Sequence, residues 1–343
     1  MIVQEARRCV QTIGFYGLSG RGFNNPVDMA IDSRGVLYVL NRAGPEVESR
    51  MNYKRITVCN LDEDYLGTFS TGGTADGQVM WPCSIAIDRD ENLYISDEAL
   101  HRISIFDKEG TFLGKWGTFG DGDGHFSRPA GIAFDPDDNL LVVDGANHRV
   151  QRYGKDGTYI GSFGSYGSGE GQLSTPWGIC LDDASNIYVA DWRNDRIQKF
   201  SSEGTCLETF GSPGNQDGQF TRPSSVAVDQ SGNLYVADWG NERVQVLAPD
   251  GSFLAKMRGD GGMSKWGQDY LDANLEELEE RAKADLEPKP NASPNDSLRD
   301  ESASIEKLFW GPISVKLDAQ GRLYVVESCR HRIQIYDTRS WKI

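Results

Sequence analysis

Pro82, Pro129, Pro176 and Pro223 stand 47 residues apart, with Pro26 lying 56 residues before the first and Pro312 lying 89 after the last. A fixed period of this length confines a chain to a repeat architecture, because each unit is one supersecondary element that cannot bury itself alone. The unit from Pro129 to Gly164 shows what repeats. Ala130 to Phe134, Leu140 to Val143, Arg149 to Tyr153 and Thr158 to Phe163 read as four short strands. Asp-Pro-Asp-Asp-Asn, Ala-Asn-His and Lys-Asp-Gly supply the turns between them. Such a meander has two faces to bury and needs a neighbour on each.

Six copies supply the neighbours. An Asp closes the first strand of each: Asp32, Asp88, Asp135, Asp182, Asp229 and Asp318. An acidic or amide residue follows the second strand: Asn41, Asp97, Asp144, Asp191, Asp238 and Glu327. An Arg opens the third: Arg55, Arg102, Arg149, Arg196, Arg243 and Arg332. The last copy stops after its third strand, at Tyr336-Asp337. Cys9 to Gly14, at the other end of the chain, matches the missing fourth strand. Pairing of that strand with the last sheet closes a ring and hides the sheet edges. The expected fold is all-β, a six-bladed β-propeller closed by the N-terminal strand. Residues 1–343 are expected to form a single propeller domain, with 260–308 an insertion inside it.

The run Asp144-Gly-Ala-Asn-His-Arg-Val-Gln-Arg-Tyr and its relative Asp191-Trp-Arg-Asn-Asp-Arg-Ile-Gln-Lys-Phe resemble the NHL repeat, and the resemblance extends over about residues 5 to 337. It implies the propeller; the family includes binding platforms, sensor domains and a few enzymes, so it does not choose among them. Related amidating lyases carry a metal-binding His directly after the leading proline. Here that position holds Val27, Cys83, Ala130, Trp177, Ser224 and Ile313, and that chemistry is not implied.

Composition narrows the function classes. A net charge of −16 opposes general binding to nucleic acid or anionic membranes, which needs clustered Lys and Arg. No apolar run approaches a membrane span and no leader is visible, so the chain is expected to be soluble, cytoplasmic and monomeric. The six Cys show neither zinc nor disulfide spacing and read as reduced core thiols.

Strand order places the connectors entering the first strands and the loops between second and third strands on one face, called upper here. The lower turns, such as Gln230-Ser-Gly and Pro249-Asp-Gly, read as economical turns and nothing more. Both insertions fall on the upper side: Ala43 to Tyr53 in blade 1, and Asp260 to Leu308 between blades 5 and 6. Since blades 6 and 1 are neighbours in a ring, the two are expected to form a lid or docking platform together. The longer one holds 13 acidic and 6 basic residues. Leu271, Leu275, Leu278 and Ala282 recur at helical spacing, with Glu277–Arg281 and Glu279–Lys283 as pairs one turn apart and Pro288 as the stop. Lys289 to Asp300 reads as a flexible linker.

Repetition in every blade marks the Asp and Arg rings as construction, since a single site needs different residues in different blades. The His before the repeated Arg (His101, His148 and His331) read the same way. The Gly-rich connectors lack the residues of a phosphate or calcium loop. Departures from the repeat are the candidates. Trp81, Arg128, Trp177, Trp192, Arg193, Arg222, Trp239, Trp310 and Arg330 all map to the upper face, and aromatics with Arg are the types that anchor interfaces. Asp28 joins them as an axial acidic residue. The expected function is a soluble binding scaffold for a protein or small ligand on this face. The alternative is a lyase or hydrolase using the axial pocket beneath the insertion. RNA binding is disfavoured by a net charge of −9 on the ring. No cofactor or metal ligand is singled out; Asp28, Glu98 and Glu327 keep a divalent metal at the channel as the open alternative.

Overall fold

The computed structural model describes residues 8–44, 48–288 and 297–341. Six antiparallel four-stranded sheets surround one axis. Blade 1 is Pro26–Ile31, Leu37–Asn41, Arg55–Cys59 and Tyr65–Phe69. Blade 2 is Pro82–Ile87, Leu93–Asp97, Arg102–Phe106 and Phe112–Trp116. Blade 3 is Pro129–Phe134, Leu140–Asp144, Arg149–Tyr153 and Tyr159–Phe163. Blade 4 is Ile179–Leu181, Ile187–Asp191, Arg196–Phe200 and Cys206–Phe210, and blade 5 is Pro223–Val228, Leu234–Asp238, Arg243–Leu247 and Phe253–Met257. Blade 6 takes Pro312–Leu317, Arg322–Glu327 and Arg332–Asp337 from the end of the chain and Gln11–Ile13 from its beginning. The closing strand pairs Gln11 with Ile335 and Ile13 with Ile333, as expected.

The core lies between the blades, not on the axis. Six apolar clusters occupy the six seams. Second strands such as Leu140–Asp144 are buried at all positions, because a neighbour covers each face. Outer strands such as Tyr159–Phe163 alternate, leaving Ile160 and its equivalents Leu66 and Leu113 about half exposed at the rim. At the axis the backbones nearly touch. The Gly131 amide donates to the Trp177 carbonyl across the seam of blades 3 and 4 (2.8 Å). A Cβ on Gly131 would lie 2.5 Å from that oxygen, so only glycine permits the approach.

The repeated polar residues do build the blades. Each strand-ending Asp closes its own turn; Asp135, for example, accepts the amides of Asp137 and Asn139 (2.9 Å each). The second acid is buried and fully engaged. In blade 3, Asp144 accepts from Ser127 N, Arg149 Nε, Asn147 Nδ2 and Gln151 Nε2. The Arg149 guanidinium then donates to the carbonyls of Gly122 and His125, tying down the Gly-rich connector. Full satisfaction is what makes a buried charge tolerable. Blade 2 departs from this. Leu100 replaces the Asn and Ser104 the Gln, and Asp97 turns to the amides of Met80, Trp81, Ala99 and Leu100. Asp97 and Arg102, the counterparts of Asp144 and Arg149, therefore do not pair. Arg102 holds the connector carbonyls of Thr74, Ala75 and Gln78 instead.

The residue before the repeated Arg latches one blade to the next. His101 Nδ1 accepts the amide of Arg128, His148 that of Thr175 and His331 that of Asn25 (3.1, 2.9 and 2.9 Å). Asp195 and Glu242 do the same for Arg222 and Gly311 (2.6 Å each). Both partners of every latch have positive φ, about 47 to 69°, a strained backbone that the hydrogen bond repays. At the one remaining seam Lys54 and Trp81 make no such latch, and neither is left-handed. Burial lowers the pKa of all three histidines, to about 4 for His331, which keeps Nδ1 an acceptor.

The long insertion forms α1 (Lys265–Ala273), α2 (Leu275–Lys283) and α3 (Leu298–Ser304). It is not one continuous helix. Asn274 interrupts it and Leu275 is 64% exposed, so the anticipated apolar stripe does not pack as a unit. Arg281 pairs with Glu306 and Lys283 with Glu280, rather than with Glu277 and Glu279. α1 reaches the seam of blades 6 and 1. Trp266, 1% exposed, packs against Phe23 (5.6 Å between rings), and its indole N–H donates to the Glu63 carbonyl. The Glu63 carboxylate accepts the first two amides of α1 (2.7 and 3.2 Å), where the helix dipole favours an anion. Four other seams pack an outer-strand aromatic (Phe69, Trp116, Phe163 or Phe210) against the glycine of the next blade's last turn. Here Glu63 occupies the glycine position and Trp266 comes from the insertion.

Candidate functional site

The upper face gathers the singled-out residues into four groups. The first centres on Glu98, whose side chain is 3% exposed. Arg42 pairs with it at 2.7 Å and Arg128 pairs with its other oxygen. Arg42 also stands over the Trp81 ring at 4.6 Å and 3.6 Å from Cys83 Sγ. Burial pushes the Cys83 thiol up, so it is no thiolate nucleophile.

The second group belongs to blades 4 and 5. Trp177 and Trp192 lie 6.3 Å apart at an interplanar angle of 37°. Arg222 stands over the Trp192 ring at 4.9 Å and Arg193 at 5.9 Å. Both arginines are exposed. The Arg222 backbone is held left-handed by the Asp195 latch, which fixes where its side chain leaves the chain. The third group is Trp239 with Arg299 of α3 over its ring (5.5 Å) and Arg299 paired with Glu242 (2.5 Å). The fourth is Trp310 with Arg330 over it at 5.4 Å; the Arg330 guanidinium donates to the carbonyls of Ser302, Ala303 and Ile305. α3 therefore stands on the upper rim between blades 5 and 6.

Asp28 stands apart from these groups, on the axis. Its carboxylate accepts from Ser84 Oγ (2.7 Å), Ile85 N (3.0 Å) and Ser314 Oγ (2.7 Å), with Lys316 Nζ at 3.3 Å. It joins the first strands of blades 6, 1 and 2. The cavity there, lined by Asp28, Ser84, Gly131, Trp177, Gly178, Ser225, Ser314 and Lys316 among others, is about 20 Å³, room for about one water. No residue of the insertion lines it. The two insertions do not combine into a cover over this mouth among the described residues. α1 turns to the seam of blades 6 and 1. The shorter insertion turns to blade 2, where the Met51 carbonyl accepts the Gly72 amide (2.7 Å).

The acidic residues weighed as axial ligands are engaged separately. Glu98 holds two arginines, and Glu327 accepts from Arg332, Gln334 and the Trp310 amide. Among the described residues, one carboxylate group has metal-ligand spacing: Asp88, Asp90 and Asp138 on the lower face. The Lys155 ammonium sits among them at 3.4, 2.7 and 2.7 Å. The lower face also holds two open concavities, of about 750 Å³ between blades 6 and 1 and about 540 Å³ across blades 4 to 6. The reading of that face as plain turns did not anticipate them.

Sequence reasoning missed Glu242, Arg299 and Lys316 as partners. Lys316 carried a signal. Its counterparts are Ala30, Ala86, Ala133, Cys180 and Ala227, and a lone cation in a ring of small residues is a departure of the kind that marked the tryptophans.

The NHL repeat matches residues 126–153, 173–200, 220–247 and 309–336, in blades 3 to 6. Blades 1 and 2, outside those matches, are the ones where the latch or the Asp–Arg pair is altered. No curated protein matches the chain. Among solved structures, a catalytically inactive variant of virginiamycin B lyase from Staphylococcus aureus with quinupristin is similar at 14% identity, covering 96% of this chain and 88% of that one, with a TM-score of 0.55. A streptogramin B lyase is similar at 13% identity, covering 95% and 86%, with a TM-score of 0.57. A protein of unknown function from Bacteroides thetaiotaomicron is similar at 18% identity, covering 94% and 72%, with a TM-score of 0.59. At these identities the likeness concerns the fold. No described helix is long and apolar enough to cross a membrane.

Proposed function

The chain belongs to the NHL-repeat family of six-bladed β-propellers, and we propose that it serves as a binding scaffold whose upper face holds a protein or small ligand. One observation carries this reading: tryptophan and arginine side chains meet in all four upper-face groups, in ring-to-guanidinium contact at 4.6 to 5.9 Å. Such pairs offer flat apolar area at low entropy cost together with directed donors. Trp192, with two exposed arginines over its ring, is the proposed centre, and Trp239 and Trp310 extend the surface towards α3.

The enzymatic alternative, a lyase or hydrolase working at the axis, has less support. Asp28 is spent on three donors and an ammonium, and the axial cavity admits about one water. The solved lyases share the fold at 13–14% identity, too little to bring an activity with them.

Immobilised protein tests the proposal. Trp192→Ala should abolish capture of a bound partner while circular dichroism stays unchanged, and Gln230→Ala on the lower face should leave capture intact. The reverse pattern, capture lost with Gln230→Ala and kept with Trp192→Ala, would move the surface to the other face.

A further inference from the structure

We infer that the blade 4–5 group is an anion-reading site, and that the ligand on the upper face presents carboxylates beside a flat or aliphatic apolar group. This rests on the scaffold reading and narrows its chemistry.

The inference follows from which upper-face charges are already spent. Arg42 and Arg128 converge on Glu98. Arg299 is paired with Glu242. Arg330 also meets no carboxylate among the described residues, but its Nη2 donates to three carbonyls of the α3 region, so its donors point into the protein. Arg193 and Arg222 remain: among the described residues neither guanidinium has a carboxylate within ion-pair distance. Asp195, which touches Arg222, accepts its backbone amide and not its side chain. Burial, and after it the charge of Arg193, lower the pKa of His148 beside them. Two exposed cations are thus held over one indole, with a second indole beside it.

A guanidinium lying over an aromatic face keeps its edge donors free for a planar acceptor, and a carboxylate fits that fork. Trp177 and Trp192 offer apolar area next to it. The same accounting argues for a short ligand. A polyanion such as RNA needs cations along its whole track, and in the other sectors of the rim the guanidinium donors are already engaged, on a chain of net charge −16. The carboxylates could come from an acidic peptide segment or from a small dicarboxylate, and the chemistry of recognition is shared.

Titration of the full chain tests this with four probes: the blocked peptide Leu-Asp-Glu-Leu, its amide analogue Leu-Asn-Gln-Leu, isophthalate, and a ten-nucleotide oligouridylate. Binding is read by calorimetry and by tryptophan fluorescence. The acidic peptide or isophthalate should bind at least tenfold more tightly than the amide analogue. Which of the two binds identifies the source as peptide or small molecule. The double variant Arg193→Ala/Arg222→Ala should lose that preference at unchanged circular dichroism, and Arg193→Lys/Arg222→Lys should keep part of it. Equal binding of the acidic and amide peptides would overturn the anion reading and leave the scaffold standing. Tighter binding of the oligouridylate, weakened by Arg128→Ala as well, would overturn it in favour of nucleic acid. Absence of binding by every probe would also overturn it, whereas failure of Trp192→Ala to affect partner capture would remove the upper-face surface on which it rests.

Discussion

Replacing Trp266 by Ala should loosen the ring at one seam. The indole is 1% exposed and caps the cluster that joins blades 6 and 1, which includes Ile13, Phe23, Met29 and Ile333. Removing a buried tryptophan costs about 3–5 kcal/mol through lost transfer energy and the cavity left behind. The Glu63 carbonyl also loses its indole donor, whereas the Glu63 carboxylate keeps the α1 amides. A loss of ~4 kcal/mol is the working value. Unfolding entropy of about 2.1 cal/mol/K per residue gives roughly 0.7 kcal/mol/K for this chain, so the melting temperature should fall by about 6 °C if the ring unfolds as one unit. Trp266→Phe keeps most of the apolar area and should lose about half as much. Calorimetry measures the total, and amide hydrogen exchange localises it. Gln11–Ile13, the strand that closes the ring and shares this cluster through Ile13, should lose protection before Phe112–Trp116 does. A Trp266→Ala protein that melts within 1 °C of wild type, with unchanged exchange in Gln11–Ile13, would show that α1 rests on the ring without holding it closed; the ~1 °C criterion is set well below the shift expected from the entropy above.

Asp28→Ala should cost about 3 kcal/mol in urea unfolding by stranding Lys316 and two serine hydroxyls, and Asp28→Ala/Lys316→Ala should cost less than the sum of the single changes; strict additivity would refute the axial pair. His331, held near pKa 4 by burial against 6.5 when unfolded, makes the native state bind fewer protons between those values. Stability should therefore be flat above about pH 7 and decline as pH falls from 6.5 to 4, by at most about 3 kcal/mol from this residue; His331→Asn, which retains an acceptor, should flatten the profile, and an unaltered slope would remove His331 as its source. Gly131→Ala should destabilise by about 1–3 kcal/mol, because its Cβ would meet the Trp177 carbonyl. Gly161→Ala, where nothing lies within 4 Å, should stay within about 0.5 kcal/mol of wild type, and equal losses at the two positions would contradict the axial-contact explanation.

Much of the ring was legible in the chain because its construction is local and repeated. The Asp at the end of each first strand closes a turn four residues long, and in blades 2 to 6 the Arg of the third strand binds a connector 24 to 28 residues before it, so the same spacing recurs along most of the ring. The missing fourth strand of blade 6 could be assigned by phase alone. What lay outside that logic was non-local and unrepeated. Trp266 meets Glu63 across 203 positions, and Glu63 gives no outward sign of standing where other blades have glycine. Helical periodicity from Leu271 to Ala282 could not see that Asn274 divides the run, since both halves keep the same phase. The tryptophan–arginine rim was found as a set of departures, but which arginines keep their charge free depends on side-chain direction. Arg128 and Arg222 occupy the same repeat position, both left-handed before proline, yet one lies on Glu98 and the other meets no acid among the described residues.

The latch runs in a single direction. Each His, Asp or Glu before a repeated Arg reaches forward to the blade that follows, so a blade need only suit the acceptor behind it and offer one of its own ahead. A 47-residue unit cut at this joint is a cassette with matching ends. Blades 3 and 4 share this joint, so exchange or duplication of such a unit would preserve the latch and leave the apolar seams to be repacked; what limits such a ring is the number of cassettes that closes it.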